Sequence, residues 1–286
     1  MKYCFFTVVD SRFLPGALAH MRSVRQHFPE AQRYIKLHSS TNETSTDCKI
    51  EESLAHILPS DHSGVEPADP YYSIAFSRSD IDEVPGNYLV YVDADCVVTG
   101  RVGELLCVPS PRLGLVSEQY HDFHFKDQFV ETASIGAIED QYGVSHVAPS
   151  INTGVIAGCR GAWLRLSGLL KDAFSADPSL FRKSKGNQGV TQAILQPAGF
   201  WQELPRPCNE IKTHTWDGHT PTVLHFTKGN TRPWRTGSSR RDNSYPAFRE
   251  WRRYSKVSDF MHNGTFWQEL FWRSLDDVRP FVRKFR

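Results

Sequence analysis

Tyr88-Leu89-Val90-Tyr91-Val92-Asp93-Ala94-Asp95-Cys96-Val97-Val98 is the stretch on which the fold turns. Five aliphatic or aromatic residues without a charge read as a strand buried on both faces, as in the middle of a largely parallel sheet. The strand runs directly into Asp93-Ala94-Asp95, and a second apolar piece, 96–98, follows. In open α/β sheets, ligands bind beyond the carboxyl ends of the strands. Alternation along an extended chain places Asp93 and Asp95 on one face. Two carboxylates that close repel each other unless a cation lies between them. Oxygen-rich sites of this kind suit Mn²⁺ or Mg²⁺, especially when phosphate oxygens complete the shell. The plain alternative is a turn or N-cap aspartate pair, and a D-x-D string alone does not separate the two.

Outward from this strand, the chain alternates strand and helix. Residues 3–9 are β-branched and aromatic and stop at Asp10-Ser11-Arg12, which predicts a buried strand and then a loop. Pro15-Gly16 opens a segment whose apolar positions Leu14, Ala17, Leu18, Met21, Val24 and Phe28 have helical spacing, and Pro29 ends it. Residues 33–38 alternate like a second strand, so the chain starts with a βαβ unit. Residues 39–70 form a connector with one short helix expected near Ile50–Leu58, and 71–82 can be helical. Leu113–Val116, Gly154–Ala157 and Thr222–Phe226 read as further strands. Trp163, Leu166, Leu169, Leu170 and Phe174 line one helix; Val190, Ala193 and Ile194 line another.

Composition narrows the function classes. With 286 residues, one large α/β domain plus an extension, or about two domains, is expected. Hydrophobic residues at 40% and charged residues at 23% exclude a disordered or coiled-coil chain. A net charge of +1 leaves no overall footprint for nucleic acid. No apolar run reaches about 18 residues, so no transmembrane helix is expected, and Asp10 and Arg12 cut the amino-terminal run too short for a signal peptide. The six cysteines contain no C-x-x-C pair and read as buried free thiols of a reducing, cytoplasmic compartment. Residues 245–286 differ from the rest: nine Lys/Arg against five Asp/Glu, with many aromatics. Trp267, Leu270, Phe271 and Leu275, then Val278, Phe281, Val282 and Phe285, have helical spacing there. Such basic amphipathic segments lie at anionic membrane surfaces, or pack back on their own domain.

The D-x-D segment, followed by Gly100 and Val102-Gly103-Glu104-Leu105-Leu106, resembles that of glycosyltransferase family 8. Further pieces resemble the family's in the same order: Phe6–Phe13 with Pro15–Leu18, Phe76-Ser77-Arg78, Ile151-Asn152-Thr153-Gly154-Val155, Gly186-Asn187-Gln188-Gly189, and His225-Phe226-Thr227-Lys228-Gly229-Asn230-Thr231-Arg232-Pro233-Trp234. The resemblance implies an α/β chain with the GT-A nucleotide-sugar transferase fold: a single Rossmann-like mixed sheet flanked by helices over 1–244, with a C-terminal helical extension over 245–286. It implies retaining transfer of a hexose from a UDP-sugar to a glycan, glycolipid or protein acceptor, with Mn²⁺, or Mg²⁺ in its place. Asp93, Asp95 and His225 would hold the metal. Thr7, Val8, Asp10, Phe13 and Ala94 would seat the nucleotide, and Lys228, Gly229 and Arg232 would close over the diphosphate. Gln188, Asn187, Asn152 and Arg78 would address the sugar. Related lipopolysaccharide transferases have a basic tail, which fits peripheral membrane contact.

Two departures from the family's pattern stand out. One extra residue lies between His225 and Pro233-Trp234, with Arg232 in place of lysine; Asn187 stands where the family has aspartate. Asparagine keeps an amide but loses the charge that would stabilise an oxocarbenium-like centre. A non-catalytic nucleotide-sugar or glycan-binding protein is therefore the alternative reading. A haloacid-dehalogenase phosphatase fits worse, because its aspartates follow the first strand. His121, Asp122 and His124 admit a second metal cluster, but a loop near the acceptor is the preferred reading.

Overall fold

The computed structural model describes residues 2–37, 54–59, 80–118, 123–129, 135–184, 188–227, 246–256 and 258–259. Its first three elements are β1 (Tyr3–Val9), α1 (Leu14–His27) and β2 (Gln32–Leu37), with β1 and β2 parallel. Pro15 lies in the first turn of α1, where its missing N–H costs nothing, and Arg25 and His27 occupy the last turn, where the helix dipole favours positive charge.

A segment expected to be helical near Ile50–Leu58 instead supplies β3 (His56–Pro59), which pairs in parallel with β2. An open sheet edge beside β2 overrides the weak local preference of so short a stretch. On the other side of β1 lies β4 (Tyr88–Val92), also parallel to it. Then β7 (Ile151–Cys159) runs antiparallel to β4, β6 (Leu113–Ser117) runs antiparallel to β7, and β8 (Trp201–Glu203) runs parallel to β6. The sheet order is β3-β2-β1-β4-β7-β6-β8. A separate antiparallel ribbon joins β5 (Cys96–Val98) to β9 (Val223–His225).

Helices cover both faces, which is why β4 is apolar throughout. Leu89 and Tyr91 pack with Phe6, Trp163, Leu166, Leu170, Val190, Ala193 and Ile194 on one side. Trp163, Leu166 and Leu170 come from α3 (Arg160–Ala176), and Val190, Ala193 and Ile194 from α5 (Gln188–Ala198); α2 (Ile135–Tyr142) contacts α5, and α4 (Pro178–Lys183) contacts α3. Tyr88, Val90 and Val92 pack with Phe5, Val24 and Phe28 on the other.

The last described helix, α6 (Pro246–Tyr254), docks on α1 and the ribbon. Its Ala247, Trp251 and Tyr254 pack with Ala19, Val97, Leu224 and Phe226. Behind it, Arg22 makes a buried two-pronged contact with Asp259, at 2.5 and 2.7 Å, and donates to the Tyr254 carbonyl at 2.9 Å. So the first part of the 245–286 segment belongs to the packed body; residues 260–286, where the basic amphipathic spacing lies, are outside the described residues. No helix among the described residues is long and apolar enough to cross a membrane. The cysteine expectation holds in part. Cys4, Cys107, Cys159 and Cys208 are in no disulfide, and Cys4, Cys96 and Cys208 are buried, but Cys107 is exposed and Cys159 half-buried; Cys48 lies outside the described residues.

Candidate active site at the carboxyl edge of β4

The chain does not stay extended through the D-x-D string. After β4 it turns, with the Cys96 N–H donating to the Asp93 carbonyl at 3.2 Å, and then enters the ribbon. The turn brings the two aspartates together by another route than strand alternation. His225 lies directly across from Cys96 in the ribbon, and this register delivers its ring to the turn. His225 Nε2 is 3.2 Å from Asp95 Oδ1 and 3.7 Å from Asp93 Oδ2. Main-chain bonds pin the arrangement: Asp93 N–H to the Gly154 carbonyl at 2.7 Å, and Phe226 N–H to the Asp95 carbonyl at 2.9 Å. The Tyr91 hydroxyl donates to Asp93 Oδ1, reaching forward from the preceding strand position on the same face. Thus the three residues expected to hold a metal are brought together, 130 positions of chain notwithstanding.

Behind the histidine stands a buried polar chain that spacing in the sequence does not announce. His225 Nδ1 contacts Asn209 Oδ1 at 2.9 Å. Asn209 Nδ2 donates to Asn152 Oδ1 at 2.8 Å, which also accepts from the Gly154 N–H at 2.8 Å. Asn152 Nδ2 donates to Glu118 Oε1 at 2.6 Å. All four side chains are buried. Burial is the largest influence on His225 and pulls its pKa down, but the charge and hydrogen bond of Asp95, then Asp93 and Glu118, outweigh it and raise the pKa above the usual histidine value. The site therefore favours positive charge between its carboxylates.

That donor set fits a small divalent cation. Neighbouring ligands of an octahedral ion with bonds of about 2.1 Å sit about 3 Å apart, close to the spacing of these atoms. Cys96 Sγ, Asp95 and His225 also lie within 4.8 Å of one another. Cys96, however, packs with Val98, Cys208 and Val223 in the core, and a thiolate would suit a softer ion than the carboxylates do.

Of the residues expected to seat the nucleotide, Thr7 and Val8 lie in β1 and Asp10 and Phe13 just beyond it. Thr7 is fully buried, and its hydroxyl has no hydrogen-bond partner among the described residues. Val8 faces the core on the α3 side. Asp10 is 2% exposed and held by Arg12, whose backbone N–H and Nε donate to it at 2.9 and 3.0 Å. Phe13 packs partly against two apolar clusters, one of which includes Ala94. Gln188, at the start of α5, reaches the Thr153 N–H at 3.5 Å and the Ser150 hydroxyl at 3.3 Å, which sets it beside β7 and Asn152. Arg78, Asn187, Lys228, Gly229 and Arg232 lie outside the described residues, as do His121 and Asp122. His124 contributes to a capping box on a short 3-10 turn with Asp127, an ordinary structural duty.

No protein-family model matches this chain, and no curated protein matches it in sequence. Solved structures do match. A galactosyltransferase, LgtC, in complex with donor and acceptor sugar analogs is 13% identical, with a TM-score of 0.60 over 88% of this chain and 94% of that one. This chain has the GT-A glycosyltransferase fold. The glycosyltransferase GlyE of Streptococcus pneumoniae TIGR4 is 16% identical, TM-score 0.59, covering 96% of this chain and 64% of that one. The bifunctional glycosyltransferase WbbM is 13% identical, TM-score 0.60, covering 91% of this chain, which spans about half of WbbM, 51%.

Proposed function

We propose that the chain is a retaining, cation-dependent glycosyltransferase that moves a hexose from a UDP-sugar to a glycan, glycolipid or protein acceptor. The observation that carries this reading is the convergence of Asp93, Asp95 and His225 Nε2 at the carboxyl edge of β4. Mn²⁺ or Mg²⁺, when bound, supplies positive charge that stabilises a departing nucleoside diphosphate. The remaining work falls to the chain itself. Asp10, fixed by Arg12, Thr7 with its unmatched hydroxyl, Val8, Phe13 and Ala94 seat the nucleoside. Gln188 addresses the sugar with Arg78 and Asn187, while Asn152, expected to do the same, is engaged by Glu118, Gly154 and Asn209. Lys228, Gly229 and Arg232 cover the diphosphate. In the transfer, the bond from the sugar C1 to the phosphate oxygen breaks, and the bond from the acceptor oxygen to C1 forms on the same face. The acceptor proton passes to the leaving diphosphate.

A thermal-shift panel of UDP-, GDP-, CDP- and TDP-sugars, with and without Mn²⁺, tests this reading. UDP with Mn²⁺ at one hundred times its Kd is expected to add about 2.7 kcal/mol. An equal shift in excess chelator overturns the cation, and no shift with any nucleotide overturns the reading. Asn187, in place of the family's aspartate, favours a second reading, a non-catalytic binding protein. Binding of a donor without any release of UDP, even to water, selects it. Residues 260–286 are proposed to touch anionic lipid. Vesicle co-sedimentation of the full chain against a chain ending at Asp259 checks this, and equal binding by both rejects it.

A further inference from the structure

We infer that Asn209 is a positioning residue that fixes the tautomer of His225, and that Glu118 and Gly154, acting through Asn152, fix the direction of the Asn209 amide. The inference deepens the proposed function, since it concerns how the histidine is prepared for a cation.

The argument follows from which atoms can donate. A carboxylate accepts only, so Asn152 must turn its NH₂ toward Glu118 Oε1, 2.6 Å away. The Gly154 N–H can only donate, and it lies 2.8 Å from the other end of the same amide, which must therefore be the carbonyl oxygen. Two anchors thus set Asn152 in one orientation. Its carbonyl then requires a donor from Asn209, at 2.8 Å, which must be that residue's NH₂. Asn209 is left presenting its carbonyl oxygen to His225 Nδ1 at 2.9 Å. That nitrogen must carry the proton. In the neutral ring, the lone pair then sits on Nε2, the nitrogen that faces Asp95 and Asp93. The chain of four side chains is almost closed to water: Glu118 is 7% exposed, Asn152 5%, Asn209 2% and His225 4%. Solvent is therefore poorly placed to replace a lost partner. Histidines that bind metals owe their ring orientation and ligating nitrogen to such outer partners.

Without Asn209, the neutral ring has a better choice. Nε2–H donating to Asp95 would satisfy one carboxylate oxygen, and the lone pair would point away on Nδ1. Such a ring competes with a cation for the same carboxylate. Asn152 belongs to this lock, with its carbonyl doubly engaged, and serves the sugar site indirectly through the histidine.

The test is a long-range ¹⁵N–¹H spectrum of the histidine-labelled full chain, recorded at alkaline pH, in wild type, Asn209→Leu and Asn209→Asp. The wild type is expected to show His225 protonated at Nδ1. An Nε2–H form in the wild type overturns the inference without any variant. Asn209→Leu is expected to move the proton to Nε2 and to weaken Mn²⁺ binding in the presence of UDP by about 10- to 100-fold. Asn209→Asp, which keeps an acceptor for Nδ1, is expected to retain the Nδ1–H form. A folded Asn209→Leu protein with the wild-type tautomer overturns the inference. An Nδ1–H wild type that binds neither Mn²⁺ nor UDP supports the lock and removes the proposed function instead.

Discussion

A methyl group added at Gly154 has nowhere to go. A Cβ there would lie 2.1 Å from His225 Cε1, 2.7 Å from Nδ1 and 2.9 Å from Asn152 Oδ1. Favourable contact between carbons begins near 3.5 Å, so the imidazole would have to retreat by about 1.4 Å. It is not free to do so. The ring is buried, its Nδ1 is bonded to Asn209, and its backbone is laddered to Cys96. Overpacking of this sort costs about 1–3 kcal/mol, and losing the Asn209 hydrogen bond costs about 0.5–1.5 kcal/mol more. Gly154→Ala should therefore lose about 2–4 kcal/mol of stability, a fall in Tm of about 5–15 °C for a domain of this size. Because a reacting group misplaced by about 1 Å can cost about 10²-fold, transfer should fall at least that far in whatever protein remains folded. Circular-dichroism melting and UDP release in Mn²⁺ measure the two effects. An unchanged Tm together with full turnover would refute the view that β7 is shaped around His225.

Three further outcomes are expected. Asp95→Asn should abolish transfer in a variant that still folds, with some loss of stability because the buried side chain also faces His225 at 3.2 Å; retained turnover counts against its proposed role. Burial drives the His20 pKa down to about 3, with no partner for either ring nitrogen among the described residues. The unfolded chain binds this proton near pH 6.5, so the stability is full above that pH and is lost as pH falls toward 3. Between pH 7 and 5 the wild type should lose about 2 kcal/mol more than His20→Leu in urea unfolding. Parallel pH slopes would disprove this. Arg22→Met strands the buried Asp259 carboxylate and should cost about 3–5 kcal/mol, and adding Asp259→Leu should recover much of that. A double variant no better than the single would show that packing, not charge, is at stake.

What the sequence revealed depended on how local the signal was. β4 is legible because a strand covered on both faces needs an unbroken apolar run, and α1 because its large apolar residues Leu14, Leu18, Met21 and Val24 repeat with helical period, although the burial of the rest of its first two turns is not announced by that pattern. β8 has three residues, none fully buried, and exists through its pairing with β6. Nothing within Trp201–Glu203 could announce it. β3 was missed for the same reason. In the site, the two aspartates advertise themselves by adjacency and a strand end. Asn209 and Glu118 do not: the bonds that give them meaning join residues 16, 57 and 34 positions apart. An asparagine between Cys208 and Glu210 looks like any turn residue until the ribbon and the sheet have closed around it.

The clasp between Arg22 and Asp259 bears on how the protein is made. Synthesis proceeds from the amino terminus, and early segments begin to fold as they emerge. Here α1 emerges among the first elements, yet the apolar surface around Ala19 and Val97 stays open until Ala247, Trp251 and Tyr254 arrive. A chain that has not yet reached α6 thus displays an apolar patch that this helix later hides. Because Phe226, next to His225, is covered by the same helix, a fragment ending before α6 would leave that backbone uncovered as well. Hiding the apolar face of α1 and packing the backbone that follows His225 are tied to one event, the arrival of α6 on α1.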